Sequence, residues 1–179
     1  SEMIFLEGYL FDKNQGKEAF RQASRMTRTA GGRAGIAISD PFCVNRHRND
    51  FIEMIKNDLD FVIGNEHEIK SLYETNDLEA AMSKTADMIK LMVCTRSGDG
   101  VTIMSNGERH DIPVNKITPV DATGAGDQFA AGFIYGMVTG RDLETCGKMG
   151  NLCAAEVISH IGPRPANDMR REFARARLE

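Results

Sequence analysis

The chain has 179 residues, 41% hydrophobic and 27% charged, the balance of one ordinary globular domain. Its 22 Lys and Arg against 26 Asp and Glu leave a net charge of −4 and a pI near 5.6, so it offers no basic face to a nucleic acid. The longest apolar stretch, residues 128–140, covers thirteen positions. That is short of the roughly 20 a membrane span needs. Residues 1–7 lack the basic start of a secretory leader, so neither membrane nor export is expected and the protein is read as cytoplasmic.

In chain order, residues 3–6 read as a buried strand, and residues 17–30 as a helix stopped by Gly31-Gly32. A second strand follows over 35–39. Asn49 is placed to cap a helix presenting Phe51, Ile52, Met54 and Ile55, and residues 61–63 form a short strand ending at Gly64-Asn65. Two helices over 65–73 and 78–90 lead into a strand over 91–95. This alternation predicts parallel strands joined by crossover helices. Ser97-Gly98-Asp99-Gly100 and Asn106-Gly107 then bracket residues 101–104 as hairpin signals, predicting an antiparallel extension. The remainder is helical over 125–138, 143–160 and 168–178, with Pro163 and Pro165 between the last two. The fold class is therefore α/β, a mixed and mainly parallel sheet covered by helices, whose ligands gather at the carboxyl ends of the strands.

Cys43, Cys94, Cys146 and Cys153 form no C-x-x-C pair and are read as reduced, buried thiols. Cys146 and Cys153, seven apart, share a helix face, and no chemistry is assigned to them. Lys13, Arg46, Arg48 and Arg96 are read as solvated surface.

The most informative segment is Val120-Asp121-Ala122-Thr123-Gly124-Ala125-Gly126-Asp127-Gln128-Phe129, a glycine-bearing turn leading into a helix. Amides at a helix start have no intrahelical acceptor and the helix dipole adds positive charge, so the turn can hold an anion, with phosphate the natural candidate. Asp127 would repel that phosphate unless it receives a proton from an attacking hydroxyl; it reads as a general base, with helix capping as the plain alternative. The segment is not Gly-x-Gly-x-x-Gly, because Phe129 fills the last position. No Walker-type Gly-x-x-x-x-Gly-Lys-Ser/Thr occurs, and Glu66-His67-Glu68 lacks the second His of a zinc protease.

Asp121 to Asp127, with Phe129, Ala130, Ala131 and Gly132, closely resembles the signature of the ribokinase, or PfkB, family of sugar and nucleoside kinases. Asn65-x-x-Glu68 and the stretch Thr95 to Gly100 match further motifs at the expected relative places. Glu7-Gly8-Tyr9-Leu10, Asp40-Pro41-Phe42-Cys43 and the run from Ala154 to Gly162 look most like its adenosine-kinase-like branch. The resemblance implies a three-layer α/β/α fold and ATP-dependent transfer of the γ-phosphoryl to a sugar or nucleoside hydroxyl. By it, Asp127 is the catalytic base and the amides of Gly124, Ala125 and Gly126 form the anion hole. Asn65 and Glu68 help to hold magnesium and the nucleotide phosphates, although an Asn-capped helix with a reciprocal Glu would look the same in sequence. Thr95 and Gly100 lie on the nucleotide side; Ser97 stands where the pattern has its first Gly, and Gly98 beside it is expected to supply the backbone freedom. Asn151 falls where the family contacts adenine, and an isolated helical Asn is otherwise solvated. Asp121 and Thr123 resemble part of a potassium site, with turn-forming roles as the alternative.

The resemblance covers only the carboxyl-terminal half of such kinases. The chain is therefore expected to be truncated, without the lid and most acceptor contacts, to be inactive alone, and to associate through an exposed first strand, as a homodimer for instance. A nucleotide-binding module and a plain interaction domain are the rival readings.

Overall fold

The computed structural model describes all 179 residues. Its elements are β1 (Met3–Glu7), a 3-10 turn (Gly8–Asp12), α1 (Asn14–Thr29), β2 (Arg33–Ala37), α2 (Pro41–Asn57), β3 (Phe61–Asn65), α3 (Glu66–Leu72), α4 (Leu78–Ala86) and β4 (Leu91–Thr95). A second 3-10 turn (Ser97–Asp99), β5 (Val101–Ser105), β6 (Glu108–Ile112), α5 (Ala125–Val138), α6 (Leu143–Ile158) and α7 (Met169–Arg175) complete the chain. The fold is a three-layer α/β/α arrangement on a six-stranded sheet of order β1-β2-β3-β4-β5-β6. β1 to β4 are parallel and β4 to β6 antiparallel, as the alternation and the hairpin signals predict. No helix is long and apolar enough to cross a membrane.

The chain divides into two compact units, residues 1–95 with 104–109, and residues 96–103 with 110–179. The first is built on a single core in which Phe11, Phe20, Ile36, Val44, Phe51, Met54, Val62, Ile69, Met82 and Met92 are buried. Phe61 to Gly64 of β3 and Leu91 to Cys94 of β4 are buried throughout, as parallel strands covered on both faces should be. β1, at the sheet edge, is half-exposed along its length.

α2 departs from the sequence reading. It starts at Pro41, eight residues before the expected cap, because Asp40 accepts a hydrogen bond from Cys43 N at 2.7 Å and Pro41 needs no acceptor at the first helical position. His47 interrupts it with φ −124° and ψ 19°, so the pattern after Asn49 is the second half of a kinked helix. β2 also starts two residues early, since Arg33 N donates to Glu2 O at 3.0 Å, and Ser39 beyond it turns to φ +73°.

In the second unit α5 and α6 pack against each other through glycine. A Cβ on Gly132 would lie 2.7 Å from Cys153 Sγ, and one on Gly136 2.8 Å from Cys146 Sγ. The two thiols share one helix face, as their spacing predicts, and all four cysteines are buried and outside any disulfide.

Candidate active site

The carboxyl ends of β1, β2 and β3 bring polar groups together in the first unit. Asn65 ends β3 and caps α3, its Oδ1 accepting from His67 N at 2.9 Å and Glu68 N at 3.0 Å, while Glu68 Oε2 accepts from Asn65 N at 2.8 Å. This is the reciprocal capping box that the sequence left as an alternative. It leaves Glu68 buried. Desolvation, countered by the Asn65 amide and reinforced by the carboxylates of Asp40 and Glu7, pushes the Glu68 carboxyl up to about 7. Thr95, at the end of β4, is the register partner of Asn65, so two motifs thirty residues apart in sequence meet side by side.

Glu7 and Asp40 are absent from the sequence-derived site. Glu7 ends β1 and accepts a hydrogen bond from Ser39 Oγ; Asp40 follows β2 and accepts one from the Tyr9 hydroxyl, which pushes that phenol up to about 12. Their common signal is legible: each acid stands at or just beyond the carboxyl end of a strand, where α/β sheets bind ligands. Glu68 and the two carboxylates whose negative charge acts on it, Asp40 and Glu7, are oxygen donors of the kind a hard divalent cation such as magnesium takes. Both Glu68 oxygens already accept from Asn65, which fits contact through water better than direct ligation.

The turn after β4 corrects one expectation. Gly98 does not adopt a positive φ; Ser97 itself does, at +48°. A non-glycine residue carries the left-handed conformation, at a cost of about 1 kcal/mol. Gly100, at φ +85° and ψ −134°, is irreplaceable for a second reason, because a Cβ there would lie 2.1 Å from Ile112 O.

Asp121 to Asp127 lie in the second unit. Asp121 braces the turn, its Oδ1 accepting from Thr123 N at 2.9 Å and its Oδ2 from Gly162 N at 3.0 Å. Hydrogen bonds from Thr123, side chain and backbone, and from Gly162 hold its carboxyl down to about 2. Gly124 caps α5 at φ +82°, with no side-chain cap. Ala125 N donates to Ala122 O at 3.3 Å and Gln128 N to Gly124 O at 2.9 Å, whereas the amides of Gly124 and Gly126 have no acceptor within the chain. A Cβ on Gly126 would meet nothing within 4 Å. Asp127, third residue of α5, is exposed and its carboxylate makes no hydrogen bond or ion pair, so it is not a cap. The turn therefore opens outward, with free donors and a free carboxylate in one helical turn.

Asn151 is not solvated: it is buried, and its Nδ2 donates to Pro113 O at 3.3 Å. Nor are three of the cations free, since Arg46 forks onto Asp12, Arg48 meets Glu74 at 3.2 Å and Arg96 meets Asp111 at 3.4 Å.

The turn before α5 thus offers unpaired amides to an anion and an adjacent carboxylate to a proton. The pfkB family carbohydrate kinase model matches residues 1–170, and the chain belongs to that family. An uncharacterized sugar kinase of Archaeoglobus fulgidus is 35% identical over 121 residues, 66% of this chain and 47% of that protein. Among solved structures, a probable sugar kinase from Rhizobium etli superposes with a TM-score of 0.97 at 39% identity, covering 99% of this chain and 55% of its own. An adenosine kinase from Sinorhizobium meliloti gives 0.96 at 39%, covering 98% and 54%. The chain thus spans about half the length of the relatives it matches.

Proposed function

We propose that the chain is the catalytic, nucleotide-binding part of an ATP-dependent kinase that phosphorylates a hydroxyl of a sugar or a nucleoside such as adenosine. The observation that carries this is the exposed, unpaired Asp127 carboxylate beside the unpaired amides of Gly124 and Gly126. The 39% identity to an adenosine kinase supports the nucleoside acceptor.

In this reading Asp127 takes the proton of the acceptor hydroxyl as its oxygen bonds to the γ-phosphorus and the bond to the leaving nucleoside diphosphate breaks. The Gly124, Ala125 and Gly126 amides stabilise charge on the equatorial oxygens; Ala125 first releases its long bond to Ala122 O. Asn65 and Glu68 would hold magnesium through water, with Glu7 and Asp40 adding negative charge, and the ion would screen the phosphates. Thr95, Gly100 and Asn151 shape the nucleotide side. Asp121 and Thr123 brace the turn and would offer oxygens to a monovalent cation such as potassium. Four cysteines outside any disulfide suit a reducing, cytoplasmic setting.

Titrating AMP-PNP with magnesium into the chain and into Asp127→Asn, and assaying turnover of the complete gene product on nucleoside and sugar panels, tests this. Binding is expected in both and turnover only with Asp127; equal turnover in the variant would discard the base. The second reading is a nucleotide-binding module without an acceptor site. It predicts binding without turnover in every form. Association through the half-exposed edge strand β1 is proposed with either reading, and light scattering showing a monomer at all concentrations would remove it.

A further inference from the structure

We infer that Glu156 is a positioning residue for the phosphate-holding turn. It acts through the segment 161–167, and the inference rests on the assignment of that turn as the anion site. The Glu156 side chain is 6% exposed, near the end of α6. Its Oε1 accepts from Ala166 N at 2.9 Å, Asn167 N at 2.9 Å and Asn167 Nδ2 at 3.1 Å. Its Oε2 is buried with no hydrogen bond and faces His160 Nε2 at 3.5 Å, itself buried and without one.

A carboxylate withdrawn from water costs several kcal/mol unless donors surround it. Here three donors, all from one short stretch, converge on one oxygen. That stretch is tied at its other end to the turn: Gly162 N donates to Asp121 Oδ2 at 3.0 Å, and Gln128 Nε2 donates to Pro163 O at 3.3 Å. Between the ties, Pro163 presses on Gly124, where an added Cβ would come within 2.8 Å of Pro163 Cβ. The far end of the segment is therefore anchored by Glu156, its near end by Asp121, and its middle sets where Gly124 can sit. Gly124 in turn starts α5 and places the amides that follow.

The test is amide hydrogen exchange on the ligand-free chain, comparing wild type with Glu156→Ala, Glu156→Gln and Asn167→Asp, and with Glu144→Ala as an exposed control on the same helix. In Glu156→Ala, exchange at Ala166, Asn167 and Gly162 is expected to rise about tenfold, and at Thr123 and Ala125 about threefold or more. Glu156→Gln keeps one oxygen to accept and should return Thr123 and Ala125 to within about threefold of wild type. Asn167→Asp sets a like charge against Glu156 at an exposed position and should loosen the same amides, which decides the matter if Glu156→Ala does not fold. Faster exchange confined to Ala166 and Asn167, with Thr123 and Ala125 unchanged, would overturn the inference. AMP-PNP titration of the same proteins separates this from the kinase reading. Loss of binding in wild type would sink the kinase assignment without touching the exchange result.

Discussion

The two helix starts that carry the candidate chemistry solve the same problem in opposite ways. At α3 the open amides are closed off by Asn65 and Glu68, which cap each other, and the acid ends up buried and hard to ionise. At α5 no side chain caps the helix, glycine leads the chain in, and the acid stands exposed and unpaired. The first start has its capped donors engaged within the chain, and the second keeps donors available to water or an anion. On the proposed kinase reading, the α5 turn has donors left to meet a ligand directly, whereas the α3 box has its donors and acceptors already engaged.

Four outcomes would sharpen or break that contrast. The largest expected effect is on the proposed catalysis: if Asp127 is the base, Asp127→Asn should lower turnover of the complete gene product by about 10²–10⁴-fold, the usual reach of a general base, with nucleotide affinity little changed. Affinity falling in step with turnover would make Asp127 a binding group instead.

Next is pH. The folded Glu68 carboxyl sits near 7 against an ordinary 4.5, so the fold binds the proton more tightly than the unfolded chain does. That contribution is fully present below 4.5 and is lost as pH rises toward 7, amounting to about 3 kcal/mol. Chemical denaturation across pH 4.5–7 should show the decline, flattened in Glu68→Gln and opposed by magnesium. Asp121 runs the other way. Held near 2, it supports the turn above pH 3.8 and ceases to do so as pH falls toward 2. A single slope shared by both carboxylates, read from local exchange, would erase the distinction.

Gly124→Ala comes third. It forces a side chain into a left-handed conformation and toward Pro163, so stability should fall by about 2 kcal/mol and AMP-PNP binding should weaken. The smallest effect is Ser97→Gly, expected to stabilise by about 0.5–1 kcal/mol in denaturant melts, because glycine accepts φ +48° without strain.

What could be read from the sequence followed from local periodicity and from groups whose chemistry is visible in one short string. The strand-helix alternation, the antiparallel hairpin and the outward-facing turn before α5 were all of this kind. The Asp40-Pro41 helix start was overlooked because the apolar spacing after Asn49 is stronger than the spacing before the kink at His47. The burial of Asn151 is not legible in sequence because its acceptor, Pro113 O, lies 38 residues away, and no periodicity encodes that pairing. Glu7, Asp40 and Glu156 share the same cause. Their roles come from what folding sets beside them, not from their neighbours in the chain.

The pairing of Asn65 with Thr95 on adjacent parallel strands has an evolutionary corollary. In a pleated strand, neighbouring positions point to opposite faces, so inserting or deleting one residue within β3 or β4 would swap the side chains between the two covered faces along the rest of that strand and break the packing on both. Lineages descended from this chain should accordingly tolerate length variation around Asn106-Gly107, where a Cβ on Gly107 meets nothing, while keeping both five-residue segments free of gaps.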